Sequence, residues 1–378
     1  MELIVNFLLT RHIPNYPLLT FKQTISLVRA QRPAGNFTSN IKLLSNTRSA
    51  IKIWIQENLD IQDRIYIPSY ICSDLTIPLT EMEQSITYYP CKANLEPDWA
   101  WLENNIADDG KALLLVHYFG FPNNIEHAVK FANRHQIILL EDCAHSFLSR
   151  VQDKTIGTFG EAGFYSYHKL LPIPEGAGIY DNLTSDTALE KYFVQNKRMT
   201  SLEWPKRLLS ILVHKLHIPS QGWSWLSRSY NQVISPQKPK SPSQMSSLSK
   251  KILYSYERNF DRLIEVRRNN YELLAHELSH IEDCTVLFPD LHDGVCPHAL
   301  PILVDDADKY ISYLNQQGVP AQKWPDLPEA VTKDSVCSIS TDYASRLILL
   351  PIHQTLSMKS IYRIANVFKS TNQFIKQL

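Results

Sequence analysis

Glycine is scarce, at 11 of 378 residues, so a place where glycines gather carries information. Gly157, Gly160, Gly163, Gly176 and Gly178 make up five of the eleven and fall within one short stretch. There is no excess charge of either sign, with 38 Lys and Arg against 38 Asp and Glu. That balance argues against the basic footprint of a nucleic-acid binder. The six cysteines (Cys72, Cys91, Cys143, Cys284, Cys296, Cys337) include no CxxC pair and lack the density of a disulfide scaffold, so a reducing cytoplasm is the expected setting. No long apolar run exists. The stretch Met1 to Thr10 is rich in Leu, Ile, Val and Phe but is too short to cross a bilayer and has no basic lead, so we expect neither a signal peptide nor a span. The 13 histidines contain no HExxH and no Cys/His cluster at zinc spacing, so no metal site is expected.

What is present is an ordinary globular composition, 44% apolar and 20% charged, in a chain long enough for a large domain and a smaller one. In the first half, short apolar runs alternate with helical patterns, which predicts an α/β fold with a mostly parallel sheet flanked by helices. Ala112 to Val116 reads as a buried strand, Ile125 to Arg134 as a helix and Ile137 to Leu140 as the next strand, together one βαβ unit. Ser49 to Glu57 reads as a helix, and Ile65 to Pro68 as a strand stopped by proline. Residues 1–247 are expected to form the large domain. Within it, Lys197 to Lys240 carries eight Lys or Arg against one acid, Glu203, and the stretch from Ser235 to Ser247 reads as an exposed Pro- and Ser-rich loop. Residues 248–378 are expected to supply one long connecting helix, Leu248 to Leu278, and then a small α/β domain. In that domain Ala299 to Val304 and Leu347 to Leu350 read as strands, and Ala307 to Gln317 and Met358 to Lys369 as helices.

The chemistry concentrates in ILLEDCAHSFLSRVQDKTIGTFGEAGFYSYHKLLPIPEGAG, which begins at Ile138. Asp142 stands where a buried strand opens into the crevice at the sheet's carboxyl edge, the usual place for a ligand in such folds. A carboxylate there needs a cation or donors; it is either the partner of a ligand cation or the N-cap of a following helix. Lys169 follows a strand-like run and is flanked by Leu170, Leu171 and Pro172. It is either an amine made nucleophilic by apolar surroundings or a surface lysine. Ser166 offers a hydroxyl, and Arg48 with Ser49 at a loop-to-helix junction offers backbone N–H groups and a helix dipole to an anion. Each of these also fits a turn or a cap.

Taken together, these segments resemble the DegT-like (DegT/DnrJ/StrS) sugar aminotransferases, a branch of the fold-type I pyridoxal-phosphate enzymes. The resemblance lies in the acidic pair Glu141-Asp142, His145, the run Gly157-Thr158-Phe159-Gly160-Glu161-Ala162-Gly163, the step Ser166-Tyr167, Lys169 and the turn Glu175-Gly176-Ala177. It extends to Ile67-Pro68-Ser69-Tyr70, Val116 to Gly120, Arg267-Arg268 with Tyr271, and Leu350-Pro351-Ile352-His353. It implies that Lys169 holds pyridoxal 5'-phosphate as a Schiff base and shuttles the substrate proton. It also implies that Asp142 pairs with the ring nitrogen, that His145 lies by the ring or its phenolate, and that Ser166, Arg48 and Ser49 hold the phosphate. Cys72, or failing it Tyr70, falls near the residue that covers the ring. The chain departs from the pattern in the two residues between Ser166 and Lys169, where four are usual, in Thr47 at a customary glycine, and in Arg48 at a small hydroxyl residue.

The reading that follows is a pyridoxal-phosphate aminotransferase of polysaccharide or amino-sugar biosynthesis, acting on a nucleotide-linked keto-sugar with glutamate as donor, cytoplasmic and homodimeric. The alternatives are a sugar dehydratase using the same cofactor, motivated by His168 beside the lysine, and a non-catalytic family member. The basic stretch 197–240 could face a substrate diphosphate, rest on an anionic membrane surface, or pack against the core or a partner subunit.

Overall fold

The computed structural model describes residues 13–19, 40–183 and 243–377. The basic stretch and the apolar N-terminal decamer of the preceding section lie outside these residues. The elements in chain order are β1 (Lys42–Leu44), α1 (Thr47–Asn58), β2 (Arg64–Pro68), α2 (Ser73–Glu81), β3 (Ile86–Tyr89), α3 (Trp99–Asn105), β4 (Gly110–Val116), α4 (Ile125–His135), β5 (Ile138–Cys143), β6 (Arg150–Val151), β7 (Lys154–Thr155), β8 (Ala162–Ser166) and β9 (Ala177–Asp181). After the undescribed stretch come α5 (Ser247–Glu257), α6 (Phe260–Leu278), β10 (Thr285–Val286), β11 (Ala299–Leu303), α7 (Ala307–Gln316), β12 (Gln322–Lys323), α8 (Glu329–Thr332), α9 (Ser338–Arg346), β13 (Leu347–Pro351) and α10 (Met358–Ile375).

A seven-stranded sheet runs in the order β1-β9-β8-β5-β4-β2-β3. Strands β3, β2, β4, β5 and β8 are mutually parallel, β9 runs antiparallel to β8, and β1, antiparallel to β9, closes that side of the sheet. The central parallel strands β4, β5 and β8 are buried on both faces, which is why they read as apolar runs: Leu113, Leu115, Leu139 and Phe164 are each at most 2% exposed. Parallel pairing places the exits of β2, β4, β5 and β8 along one edge, and the residues that leave them are Ser69, His117, Ala144 and Tyr167. Helix α4 shows how the covering layer forms. Asn124 caps its first turn by accepting the His127 N–H, and Ile125, Ala128, Phe131 and Ala132 make one buried stripe. Gln136 ends the helix in a left-handed conformation. Burying Phe131 alone is worth about 2–3 kcal/mol.

The C-terminal part has its own antiparallel sheet, β10-β11-β13-β12. The expected single helix from Leu248 to Leu278 is in fact two. The backbone leaves helical geometry at Asn259 (φ −133°, ψ 22°), whose carbonyl starts α6 by accepting from Leu263. The buried residues explain the break. Leu248, Ile252, Leu253 and Tyr256 of α5 pack with Tyr167, Leu170 and Leu171 around the turn that carries Lys169. Tyr271, Leu274 and Leu278 of α6 join the core that contains the small sheet. Neither proline nor glycine marks the change of partner, so the periodicity alone reads straight through it. The sequence also gave no sign of β1, β3, α2 or α3; α2 even contains Pro78.

Beyond β13, His353 ties the segment 13–19 to the small sheet. A carbonyl can only accept, so its Nε2–H donates to the Pro14 carbonyl (2.8 Å), and Nδ1 lies 2.9 Å from the Thr355 hydroxyl. Burial, opposed by the Pro14 contact, pulls the imidazole down from 6.5 to about 3. The unfolded chain therefore binds the proton first. The stability contributed by the neutral ring is complete above about pH 6.5 and is lost as pH falls towards 3, at up to about 1.4 kcal/mol per pH unit. Chemical denaturation at a series of pH values should show this slope in the wild type and a shallower one in His353→Asn.

Candidate active site

Strand alternation sends the neighbours Glu141 and Asp142 to opposite faces of β5. Glu141 is fully buried and acts as an anchor. Its Oε1 accepts the N–H groups of Phe159 and Gly160 (both 2.7 Å), and its Oε2 accepts that of Gly157 (2.8 Å). His117 completes the set. Its Nδ1 accepts from the Asn123 N–H (2.9 Å), which leaves the proton on Nε2 to be donated to Glu141 Oε2 at 3.2 Å. The glycine cluster is thus a loop folded onto a carboxylate. Gly157 has φ +89°, and a side chain at Gly163 would place its Cβ 2.0 Å from the Gly157 carbonyl oxygen.

Asp142 lies on the other face, 5% exposed. Its Oδ1 accepts the Ala144 N–H (2.8 Å) in a turn, with no helix following, so it is not a helix cap. The second carboxylate oxygen makes no hydrogen bond among the described residues. Burial pushes the carboxyl pKa up, and the Ala144 N–H, His117 and Lys169 oppose that. A cationic partner for the open oxygen would favour the charged form.

Lys169 closes a single 3-10 turn after β8 and is half-buried. The short link from Ser166 is accommodated because this turn, Tyr167–Lys169, follows the strand at once. The lysine amine makes no ion pair or hydrogen bond among the described residues. Its charge nevertheless acts on Asp142, His145, Cys72, His168 and His298, which places all five around it. His145 is sandwiched between Phe119 (ring centroids 5.5 Å apart, planes at 16°) and His298 (4.7 Å, 7°), with Trp324 edge-on at 5.0 Å. Burial first, and then the positive charge of Lys169, holds His145 well below the usual imidazole range, so the ring is neutral. Cys72 is half-buried at the start of α2, and its thiol is raised by burial, lowered by Lys169 and raised by Asp142. Tyr70 is buried against Trp324, with ring centroids 5.3 Å apart, and its hydroxyl donates to the Trp324 carbonyl (2.6 Å).

The anion-binding candidates sit at the other end of the lysine turn. Thr47 donates its hydroxyl to the Tyr165 carbonyl (3.0 Å), pinning the start of α1 to β8. Asn46 caps α1 by accepting the Ser49 N–H (2.8 Å), so of the first three N–H groups those of Thr47 and Arg48 make no hydrogen bond among the described residues. Arg48 pairs with Asp74 at 2.7 Å. Ser166 shares a 3.0 Å hydrogen bond with Nδ1 of His168, and burial, Lys169 and Arg48 together lower that imidazole to about 3. Residue-by-residue reading missed Phe119, His298 and Trp324, which come from a strand exit and from two loops of the C-terminal part. No local spacing connects them to the glycine cluster.

The sequence profile of the DegT/DnrJ/EryC1/StrS aminotransferase family matches residues 90–369, and the chain belongs to that family. Its fold is that of the fold-type I pyridoxal-phosphate aminotransferases. The Helicobacter pylori PseC aminotransferase involved in the biosynthesis of pseudoaminic acid superimposes with a TM-score of 0.70, covering 97% of this chain and 100% of that one at 16% identity. In sequence, GDP-perosamine synthase of Escherichia coli O157:H7 is 32% identical over 83 residues, 21% of this chain and 23% of the relative. GDP-4-keto-6-deoxy-D-mannose 3-dehydratase of Escherichia coli O55:H7 is 29% identical over 153 residues, 39% of this chain and 38% of the relative. These two sequence matches span well under half of either relative's length. Pyridoxal phosphate is the cofactor that goes with this family. The residues present suit it: among the described residues, a lysine amine without a partner, a buried carboxylate with one open oxygen, and a helix start with two open N–H groups.

Proposed function

We propose that this protein transfers an amino group from an amino-acid donor, glutamate in the first instance, to a keto-sugar carried on a nucleotide. The observation that carries the reading is the shared field of Lys169, Asp142 and His145 at the exits of β5 and β8, within a chain of this family. When bound, pyridoxal phosphate supplies an aldehyde to take up the amino group and a ring that stores electrons. Lys169 would hold the cofactor through its amine and would move the proton at the substrate carbon. Asp142 offers its open oxygen to the ring nitrogen and keeps it protonated. His145, neutral and fixed between Phe119 and His298, would present its imidazole to the ring or its phenolate oxygen. Ser166, the Ser49 hydroxyl and the N–H groups of Thr47 and Arg48 would hold the phosphate, beside the Arg48 guanidinium that pairs with Asp74. Asp142→Asn should lower amino transfer by roughly a hundredfold or more while leaving the fold intact, measured as steady-state rate against thermal midpoint.

The same proposal divides the chain at 247/248, with His298 and Trp324 brought to the site from the C-terminal part. It includes a homodimer, to be tested by sedimentation, and a reducing cytoplasm suited to six unpaired cysteines. No described helix is long and apolar enough to cross a membrane. Incubation with glutamate and a panel of nucleotide-linked keto-sugars, read by product mass, tests the activity. An amino sugar with 2-oxoglutarate supports it. A deoxy-keto-sugar without consumption of amine would identify a dehydratase instead, the reading favoured by the similarity to the 3-dehydratase.

A further inference from the structure

Arg267, on α6, is 1% exposed and has no carboxylate partner among the described residues. Its Nε donates to Gln354 Oε1 (2.8 Å), its Nη1 to the carbonyls of Pro297 (3.1 Å) and His298 (3.0 Å), and its Nη2 to the carbonyl of Leu170 (3.3 Å). Gln354 in turn donates its Nε2–H to the same Leu170 carbonyl at 2.9 Å. Burial brings the guanidinium down to about 10, which still leaves it charged at neutral pH. A buried cation satisfied only by neutral acceptors is a poor source of stability, since desolvation offsets much of what its hydrogen bonds return. Its use lies in what the planar fork can hold in fixed relation.

What it holds is specific. Leu170 directly follows Lys169, and the 3-10 turn that ends there is short, so the Leu170 carbonyl sets the height of the lysine backbone above the sheet. The other two carbonyls belong to the segment that delivers His298. That segment is also fixed to the β4 exit by the His298 N–H on the Phe119 carbonyl (2.7 Å), and to the β5 exit by the Cys296 N–H on Ser149 Oγ (3.0 Å). His298 then stacks on His145. One guanidinium therefore grips, from behind, both the lysine turn and the histidine stack.

We infer that Arg267, braced by Gln354, is a positioning residue that sets how the Lys169 amine and the His145–His298 stack are presented to a bound ligand. The inference rests on the reading of Lys169 as the cofactor lysine. The test compares wild type, Gln354→Leu and Arg267→Lys, the first variant keeping the cation and the second keeping the charge without the fork. The cofactor-free proteins are mixed with pyridoxal phosphate and borohydride, and the rate of labelling at Lys169 is read by peptide mass. A parallel arm measures reductive methylation of Lys169 by formaldehyde, and histidine ring shifts and thermal midpoints are recorded throughout. Both variants should remain folded, label Lys169 at least about tenfold more slowly, change its methylation rate, and shift the His145 and His298 resonances. Wild-type rates and shifts in the two folded variants would overturn the inference and reduce Arg267 to packing. If wild type is not labelled by pyridoxal phosphate at Lys169, the functional reading fails, and the methylation rates and ring shifts still decide whether the clamp positions the amine.

Discussion

Lys169→Ala is expected to abolish amino transfer, lowering the rate at least about 10⁴-fold, while the protein stays folded. The magnitude follows from the two tasks assigned to one amine: it holds the aldehyde covalently and it moves the proton at the substrate carbon, and the second alone is worth about 10²–10⁴-fold. Folding should be spared because the amine makes no hydrogen bond or ion pair among the described residues, and because Asp142, His145 and His298 lose a nearby cation rather than a bonded partner. The check is a single-turnover amino transfer from glutamate, with circular dichroism as the control. An exogenous alkyl amine should restore part of the proton-transfer rate. Unchanged turnover in the variant would move the chemistry to another residue.

The second large effect is expected one residue away from the chemistry. Glu141→Ala leaves the N–H groups of Gly157, Phe159 and Gly160 and the Nε2–H of His117 without their acceptor, inside the protein. Each buried orphan costs about 1–3 kcal/mol, and some relaxation of the loop is possible, so a loss of about 4–6 kcal/mol in unfolding free energy is the expected result. Against a total stability of about 5–15 kcal/mol this removes about a third of it or more. Urea titration measures it directly. Asp142→Ala should behave in the opposite way. Burial already disfavours that carboxylate and only the Ala144 N–H is lost to it, so stability should change little while activity falls. Two adjacent acids on one strand thus separate a fold-keeping role from a chemical one.

That pair also shows what could be read from the residues alone. The apolar runs around residues 112–116 and 137–140 announce parallel strands, and the order acid, glycine cluster, lysine carries the resemblance to the family. Asp142 is the acid singled out from the sequence, and alternation along β5, which runs on to Cys143, puts Glu141 on the opposite face, where its hold on the glycine loop was not foreseen. The break at Asn259 was hidden because α5 and α6 keep their apolar spacing while changing the core they face. Phe119 lies at the strand exit read from the sequence, but its stacking on His145, and the places of His298 and Trp324, were out of reach because they are set by tertiary packing, for the latter two by docking of the C-terminal segment. Arg267 was visible as part of a family pattern, but its work is done on carbonyl groups, and backbone acceptors leave no mark in a sequence.

The central claim is that a single amine and a single carboxylate, presented from β8 and β5, address the same pyridine ring. It is tested most directly by solving the protein with pyridoxal phosphate bound after borohydride reduction. Continuous density from Nζ of Lys169 to the cofactor is expected, with an oxygen of Asp142 within hydrogen-bond distance of the ring nitrogen. A cofactor joined to any other lysine, or a ring nitrogen turned away from Asp142, would contradict it.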